Sequence, residues 1–276
     1  MSPSEPPSQS VSAILERWEG NSSKKFLTLN FKTYAKIRFI STGGNGSGSP
    51  IPRIIGLDAA GFEYSAILDA DDQMHLQKLE FAVAQLQYHP IISCALQLLT
   101  KEYQPLRIVG AGADRIPICR DYKFTNFSSD SMLVDDRRIA DPRFAPRRSC
   151  VTDFDFLLKL FSKIERCFHF GKTLHSYVKR PISVTNGPGA SQKIANTKRL
   201  MVELLSFGHY SFPDSQSVLE VEHFVQLSLM PEAVYSDALL CDPEAVFEDY
   251  IEEAIRSGTD DLFESKNDRR VTGEVS

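Results

Sequence analysis

FEYSAILDADDQMHLQKLEFAVAQLQYHP, residues 62–90, carries an apolar strand into an amphipathic helix through Asp69-Ala70-Asp71-Asp72. Leu79, Val83 and Leu86 recur at helical spacing from Leu76, which predicts a helix from Asp72 to His89. Carboxylates at the C-terminal edge of a strand are where α/β enzymes place ligand-binding groups. Two readings of the acids are open. Asp71 or Asp72 at a helix start can cap the orphan amides of the first turn and complement the helix dipole, a task for one Asp only. Asp69 and Asp71, two positions apart on an extended segment, point the same way and can converge on a hard cation such as Mg²⁺ or Mn²⁺.

Working outward, the odd positions from Leu27 to Phe39 are apolar except Thr33, the pattern of one or two strands, and Ser41–Ser49 is a glycine-rich loop. Ile54–Leu68 reads by itself as a hairpin turning at Ala59-Ala60-Gly61. A helix over Ile51–Ala60 ended by Gly61 is the alternative. After Pro90, Ile91–Leu99 fits strand or helix, and Leu106–Val109 fits a strand. Gly110-Ala111-Gly112 is not a dinucleotide fingerprint, because Arg115 takes the third small-residue position and Pro117 stops the required helix.

Tyr122–Cys150 is polar and loop-rich. A helix from Asp153 to Ile164 comes next, with Thr152 as its cap and Phe156, Leu157, Leu160, Phe161 and Ile164 as its apolar face. Two short strands are expected to flank Gly171, and Gly187–Lys193 reads as a turn capped by Ser191 before another helix, without the ending of a P-loop. Leu219, Val221, Val225, Leu227 and Leu229 alternate as in a strand, and Asp242-Pro243-Glu244 reads as a helix start.

At 276 residues, 42% hydrophobic and 24% charged, the chain has the composition of a globular protein, and the run Ile91–Leu99 is too short to span a bilayer. Met1–Ser10 has no signal region, so the expected compartment is the cytoplasm, with the cytoplasmic face of a membrane as the alternative. Cys94, Cys119, Cys150, Cys167 and Cys241 are scattered, as reduced core cysteines are, and His169 and His175 lack a third ligand at metal spacing. From Arg166 to Val202 the chain carries seven basic residues and no acid, a belt that can face an anionic substrate or a membrane surface. A net charge of −5 argues against general nucleic-acid binding.

Four motifs in order resemble family 2 glycosyltransferases. Gly61, then Leu68-Asp69-Ala70-Asp71-Asp72, Lys78-Leu79-Glu80 and His89-Pro90 resemble the donor-binding centre; Lys36–Ile40, Asn45-Gly46 and Pro52-Arg53 with Gly56 resemble the segment leading into it. Arg143-Phe144 with Thr152–Leu160 is similar to the acceptor-side acidic motif, and Tyr177, Arg180 and Ser183-Val184-Thr185 resemble the family segment C-terminal to that motif.

The resemblance implies a GT-A type α/β fold, a Rossmann-like mixed sheet flanked by helices, over residues 10–206. An acidic α+β appendage over 207–257 and loose tails at 1–9 and 258–276 complete the expected organisation. It implies a divalent metal on Asp71 and Asp69, Asp69 on metal or donor ribose, and donor phosphate contacts from Arg53 and Arg180. Asp153 matches the family's base, with Asp155 a second candidate. The implied reaction is inverting transfer from a nucleotide sugar, UDP-linked foremost, to a glycan or lipid-linked acceptor. Only Ser4–Ser10 precedes the first expected helix, Ser10–Trp18 with Val11, Ile14, Leu15 and Trp18 on one face, so the resemblance implies a domain lacking the family's first strand and helix, which hold the nucleotide base. A non-catalytic binding protein of the same fold is the alternative.

Overall fold

The structure, a computed structural model, describes residues 40, 50–69, 71–117, 133–139, 144, 150–180, 189–212 and 214–257. The expected elements at 10–18 and 27–39, the glycine loop, most of the 122–150 loop, Cys119 and the tail beyond 257 lie outside the described residues.

The apolar run after Pro90 is a strand. β3 (Ile91–Leu99) is buried at every position but Gln97, as a central strand covered on both faces must be. β6 (Phe168–Val178) pairs with it in parallel. On its other side β3 meets β4 (Pro105–Val109) and, at its start, β5 (Val134–Asp136), both antiparallel. β5 pairs antiparallel with β1 (Tyr64–Ala66), and β2 (Gln73–Met74) closes the far side of β6. The result is a mixed six-stranded sheet. Two antiparallel steps separate β1 from β3, so β1, β3 and β6 all run the same way and end at one edge.

β3 feeds two cores from its two faces, and the register irregularity at Ala95 exchanges the faces part-way along the strand. Ile91, Leu96 and Leu98 join α1 (Pro50–Ala59), α3 (Thr152–Phe161) and the later helices; Ile92 packs with Val134 and with Ala82 and Leu86 of the helical segment α2 (Gln77–Gln85) and the turn after it. α1 has Pro50 at its first position and stops just short of Gly61, so the helix reading of 51–60 holds and the hairpin does not. Phe156, Leu157, Leu160, Phe161 and Ile164 are buried together, as the periodicity of α3 requires.

Several boundaries differ from expectation. α2 begins at Gln77, not Asp72, because Gln73–Met74 joins β6 as a strand. Its buried residues are Lys78 and Ala82, continued by Leu86 in the turn after it, and Leu79 packs against them, while Leu76 is fully exposed; the expected face therefore holds at Leu79 and Leu86 but not at Leu76. Thr152 lies inside α3, whose cap position is Val151 in the left-handed region at φ 56°. α4 (Ala190–Ser206) is preceded by Gly189 at φ 72°, a glycine doing what Ser191 was expected to do. Gly171 does not separate two strands. It lies within β6 because the loop after β4 crosses there.

The strand expected over 219–229 is helical: α5 (Ser215–Leu227), capped by Asp214 through the Ser217 N–H at 2.7 Å, runs into α6 (Leu229–Cys241). Ser217, Val221 and Val225 are buried at a spacing of four, whereas Leu219 is exposed, so the alternation among the leucines and valines was incidental to the buried face. Asp242 ends α6 rather than starting a helix, although its carboxylate does accept the Glu244 N–H at 2.9 Å; α7 spans 247–257. Met201, Leu205, Tyr210, Val221, Val225 and Val246 join the core that α3 makes with the sheet. Cys94, Cys150 and Cys167 are buried thiols, but Cys241 is exposed. Among the described residues no helix is long and apolar enough to cross a membrane.

His169, on β6, is wholly buried between Ser93 Oγ and the Gly110 carbonyl, each 2.7 Å from a ring nitrogen. Burial pushes its pKa down from 6.5 to about 4, and the Arg115 charge adds to the shift. Between those values the unfolded chain holds the extra proton, so this group's stabilising effect is complete above pH 6.5 and is lost as pH falls through 4. The loss amounts to about 3 kcal/mol. In urea titrations the gap in stability between the wild type and His169→Gln should narrow by about that much from pH 7 to pH 4. A gap that does not change with pH would refute the assignment.

Candidate functional site

Asp69 follows the C-terminal end of β1, Arg180 follows the end of β6, and Asp153 lies in the first turn of α3. Since β1 and β6 are co-directional, Asp69 and Arg180 belong to the same sheet edge, the one where α/β folds collect ligand-binding groups. Arg53, from α1, joins them from beneath. Its guanidinium is 5% exposed and lies 5.4 Å from the centre of the Phe144 ring.

Arg53 Nη2 donates to both oxygens of Asp69, at 2.9 and 3.0 Å, and Nη1 donates to Asp153 Oδ1 at 3.1 Å. Three residues singled out in the sequence are thus one hydrogen-bonded unit, with a delocalised cation holding two acids side by side. Thr152 Oγ1 also donates to Asp153 Oδ1, at 3.1 Å. Asp153 keeps 33% of its side-chain surface open, yet protein surrounds it closely enough that desolvation raises its pKa, against the pull of Arg53. Asp155 is different in kind. It is fully buried, accepting from Lys159 Nζ at 2.7 Å and the Tyr210 hydroxyl at 2.6 Å, which ties α3 to the segment after α4.

Asp71 is paired separately: Arg180 Nε donates to its Oδ2 at 2.5 Å, and both side chains are partly exposed. The third acid, Asp72, turns inward. Its side chain is 1% exposed, Oδ1 accepts the Val178 N–H at 3.0 Å, and Oδ2 is 3.3 Å from His175 Nε2. His175 Nδ1 in turn lies 3.4 Å from Lys78 Nζ, buried in α2. Burial pushes Asp72 up to about 8, with the charges of Asp69 and Asp71 adding, and pushes His175 down to about 2. An ammonium only donates, so Nδ1 accepts from Lys78 and Nε2 carries the hydrogen toward Asp72.

Asp72, His175, Lys78 and Tyr177 were not singled out as site residues in the sequence. The Tyr177 phenol is raised by burial and by the charges of Asp72, Asp153, Asp69 and Glu248, which brings α7 into the electrostatics of the site. Asp72, Lys78 and Tyr177 do stand in the family-like motifs of the sequence, but without a role of their own. The contacts of Asp72 join residues about a hundred positions apart and left no signal in the sequence. Among the described residues no group of three or more His, Cys, Asp or Glu side chains is arranged to hold a metal.

No protein-family model and no curated protein sequence matches the chain. Solved structures do match. S. aureus TarS 1-349 in complex with UDP-GlcNAc is similar with a TM-score of 0.52 at 13% identity, over 72% of this chain and 56% of that one. Another crystal structure of S. aureus TarS is similar with a TM-score of 0.50, also at 13% identity, over 72% and 33%. The chain therefore spans about half or less of the length of these structures. What they share with it is the fold, a mixed sheet flanked by helices of the glycosyltransferase type.

Proposed function

We propose that this chain transfers a sugar from a nucleotide-diphosphate donor, a UDP-sugar foremost, to a hydroxyl of a glycan or lipid-linked acceptor. The work would take place in the cytoplasm or at the cytoplasmic face of a membrane. The observation that carries this reading is the arginine-bridged pair Asp69–Asp153 at the C-terminal edge of the sheet, with Asp71 and Arg180 at the same edge. The TarS likeness is consistent with it, since one of those structures holds UDP-GlcNAc.

Asp153 is the proposed base. It takes the proton of the acceptor hydroxyl as that oxygen bonds C1 of the sugar; the C1–O bond to the diphosphate breaks, and the nucleoside diphosphate leaves with the electron pair, inverting C1. Arg53 keeps the base at a fixed distance from Asp69, the proposed ligand of a metal or of the donor ribose. The expected phosphate contact from Arg53 requires it to exchange a carboxylate for phosphate. Arg180 is freer to make one, being 54% exposed.

Asp71 and Asp69 suit Mg²⁺ or Mn²⁺ in one specific sense: such ions take one or two carboxylates and complete their shell with substrate phosphates and water. Bound there, the ion would neutralise the departing diphosphate as a Lewis acid. Binding would draw Asp71 away from Arg180.

Titration calorimetry with UDP, with and without Mn²⁺, tests the reading. UDP should bind in a metal-dependent way, and Asp71→Ala should remove that dependence while leaving the fold intact. Equal binding with and without metal would refute the metal site. One observation favours a second reading, a non-catalytic binding protein: Asp69 and Asp71 are each already neutralised by an arginine. That protein would bind a donor without turning it over.

A further inference from the structure

We propose that His175 is a positioning residue: with Lys78 it holds Asp72 in place, and through Asp72 it sets the Asp69–Asp71 turn against the end of β6. The proposal rests on reading that turn as part of a donor site.

The turn is short and internally bonded, with the Asp72 N–H donating to the Asp69 carbonyl at 3.1 Å. Anchoring Asp72 therefore anchors Asp69 as well, and Asp71 lies between them. Three links tie the turn to β6 and its end: the Val178 N–H on Asp72 Oδ1, His175 Nε2 on Asp72 Oδ2, and Arg180 on Asp71. The Arg180 link is exposed and would be given up when a ligand arrives. The other two are buried and remain. Of these, the Val178 N–H belongs to the backbone, so His175 is the buried side chain that ties the turn to β6, while Arg53 holds Asp69 from α1.

Lys78 fixes the histidine. A neutral imidazole has one donor and one acceptor, and a ring with its donor on Nδ1 would set that N–H against the Lys78 ammonium. The Lys78 ammonium, 3.4 Å from Nδ1, selects the tautomer that donates to Asp72. His175 and Lys78 are 0% and 2% exposed, so neither can itself touch a sugar nucleotide; their effect passes through Asp72. Neighbouring bonds brace the same strands, with His75 Nε2 3.2 Å from Ser176 Oγ and the His75 N–H on the Leu174 carbonyl at 3.1 Å. Supporting side chains of this kind commonly change ligand affinity by about 10–100-fold.

The test compares wild type, His175→Gln and His175→Leu by amide hydrogen exchange and by UDP calorimetry with Mn²⁺. Glutamine can donate to Asp72 and accept from Lys78 at once, whereas leucine fills the space and does neither. In the leucine variant the Asp72 and Val178 amides should exchange about tenfold faster while Ala95–Leu98 of β3 stay protected. UDP affinity should fall about tenfold in the same variant, and glutamine should restore it to within about threefold. Should the leucine variant fail to fold, Lys78→Met carries the same comparison.

A folded leucine or methionine variant with wild-type exchange at Val178 would overturn the proposal. So would faster exchange with unchanged UDP affinity, which would make His175 structural only. If the wild type does not bind UDP, the donor-site reading falls by that result, and the exchange comparison alone decides whether His175 places the turn.

Discussion

Gly171→Ala should destabilise the protein by about 3 kcal/mol or more, enough to unfold a marginal domain. A methyl group there would stand 1.8 Å from the Gly112 carbonyl oxygen, 2.5 Å from its carbon and 3.1 Å from the carbonyl carbon of Ala113. All three are backbone atoms, so no side chain can swing aside. The crossing loop cannot easily lift either. It is held by Arg115 and His169 bonding each other's backbone at 3.0 and 2.9 Å, by the Gly112 N–H on the Gly171 carbonyl at 3.3 Å, and by Asp114 Oδ1 on the Gly171 N–H at 2.9 Å.

Relief would break some of these bonds or push β6 away from β3, the pairing at the centre of the sheet. Gly61→Ala is the matched control, because a Cβ at Gly61 meets nothing within 4 Å. Urea unfolding of both variants measures the difference. A Gly171→Ala midpoint close to that of the control would show that the loop yields.

The same contact explains what was legible in the sequence and what was not. Gly110-Ala111-Gly112 could be rejected as a nucleotide motif from Arg115 and Pro117 alone. Gly110 and Gly112 serve a backbone at φ 75° and 136°, and a Cβ at Gly110 would also press on the His169 ring; the residue that must be glycine for lack of space is Gly171, about sixty positions away, where this loop crosses at atomic contact. The helical face from Phe156 to Ile164 and the strand–acid turn at Asp69 were read correctly, whereas the apolar run Ile91–Leu99 left strand and helix open, and packing on both faces made it a strand.

Short patterns misled. Five apolar residues between Leu219 and Leu229 alternate, but a helix shows the same residues at Val221 and Val225, and packing chooses between the two. Caps failed for a local reason: Val151 and Gly189 take the cap positions through left-handed backbone, which side-chain type at Thr152 or Ser191 does not reveal. At the site, the residue types and the arginine were visible as a motif. Their division of labour was not, because Asp71, Asp72 and Asp69 are sorted by partners on β6 and α1.

Asp153→Asn should reduce sugar transfer by about 10²–10⁴-fold while UDP binding stays within about threefold of wild type. Asparagine has the same shape, and its side-chain oxygen can still accept from Arg53 Nη1 and Thr152 Oγ1, so the bridge to Asp69 survives. The proton acceptor is lost. Because the effect is on the chemical step, it belongs in kcat more than in KM.

Asp155→Asn provides the contrast. It removes a charge fully buried against Lys159 and Tyr210, so its cost should appear in stability, with the transfer rate of the folded fraction retained. The wild-type rate should also rise with pH through the Asp153 titration, which burial places above the ordinary carboxylate range, and the asparagine variant should lack that limb. If Asp153→Asn transfers sugar at the wild-type rate, proton removal lies with another group. If the wild type binds donor and transfers nothing to any acceptor, the arginine-bridged acids form a binding site, and the reading without catalysis stands.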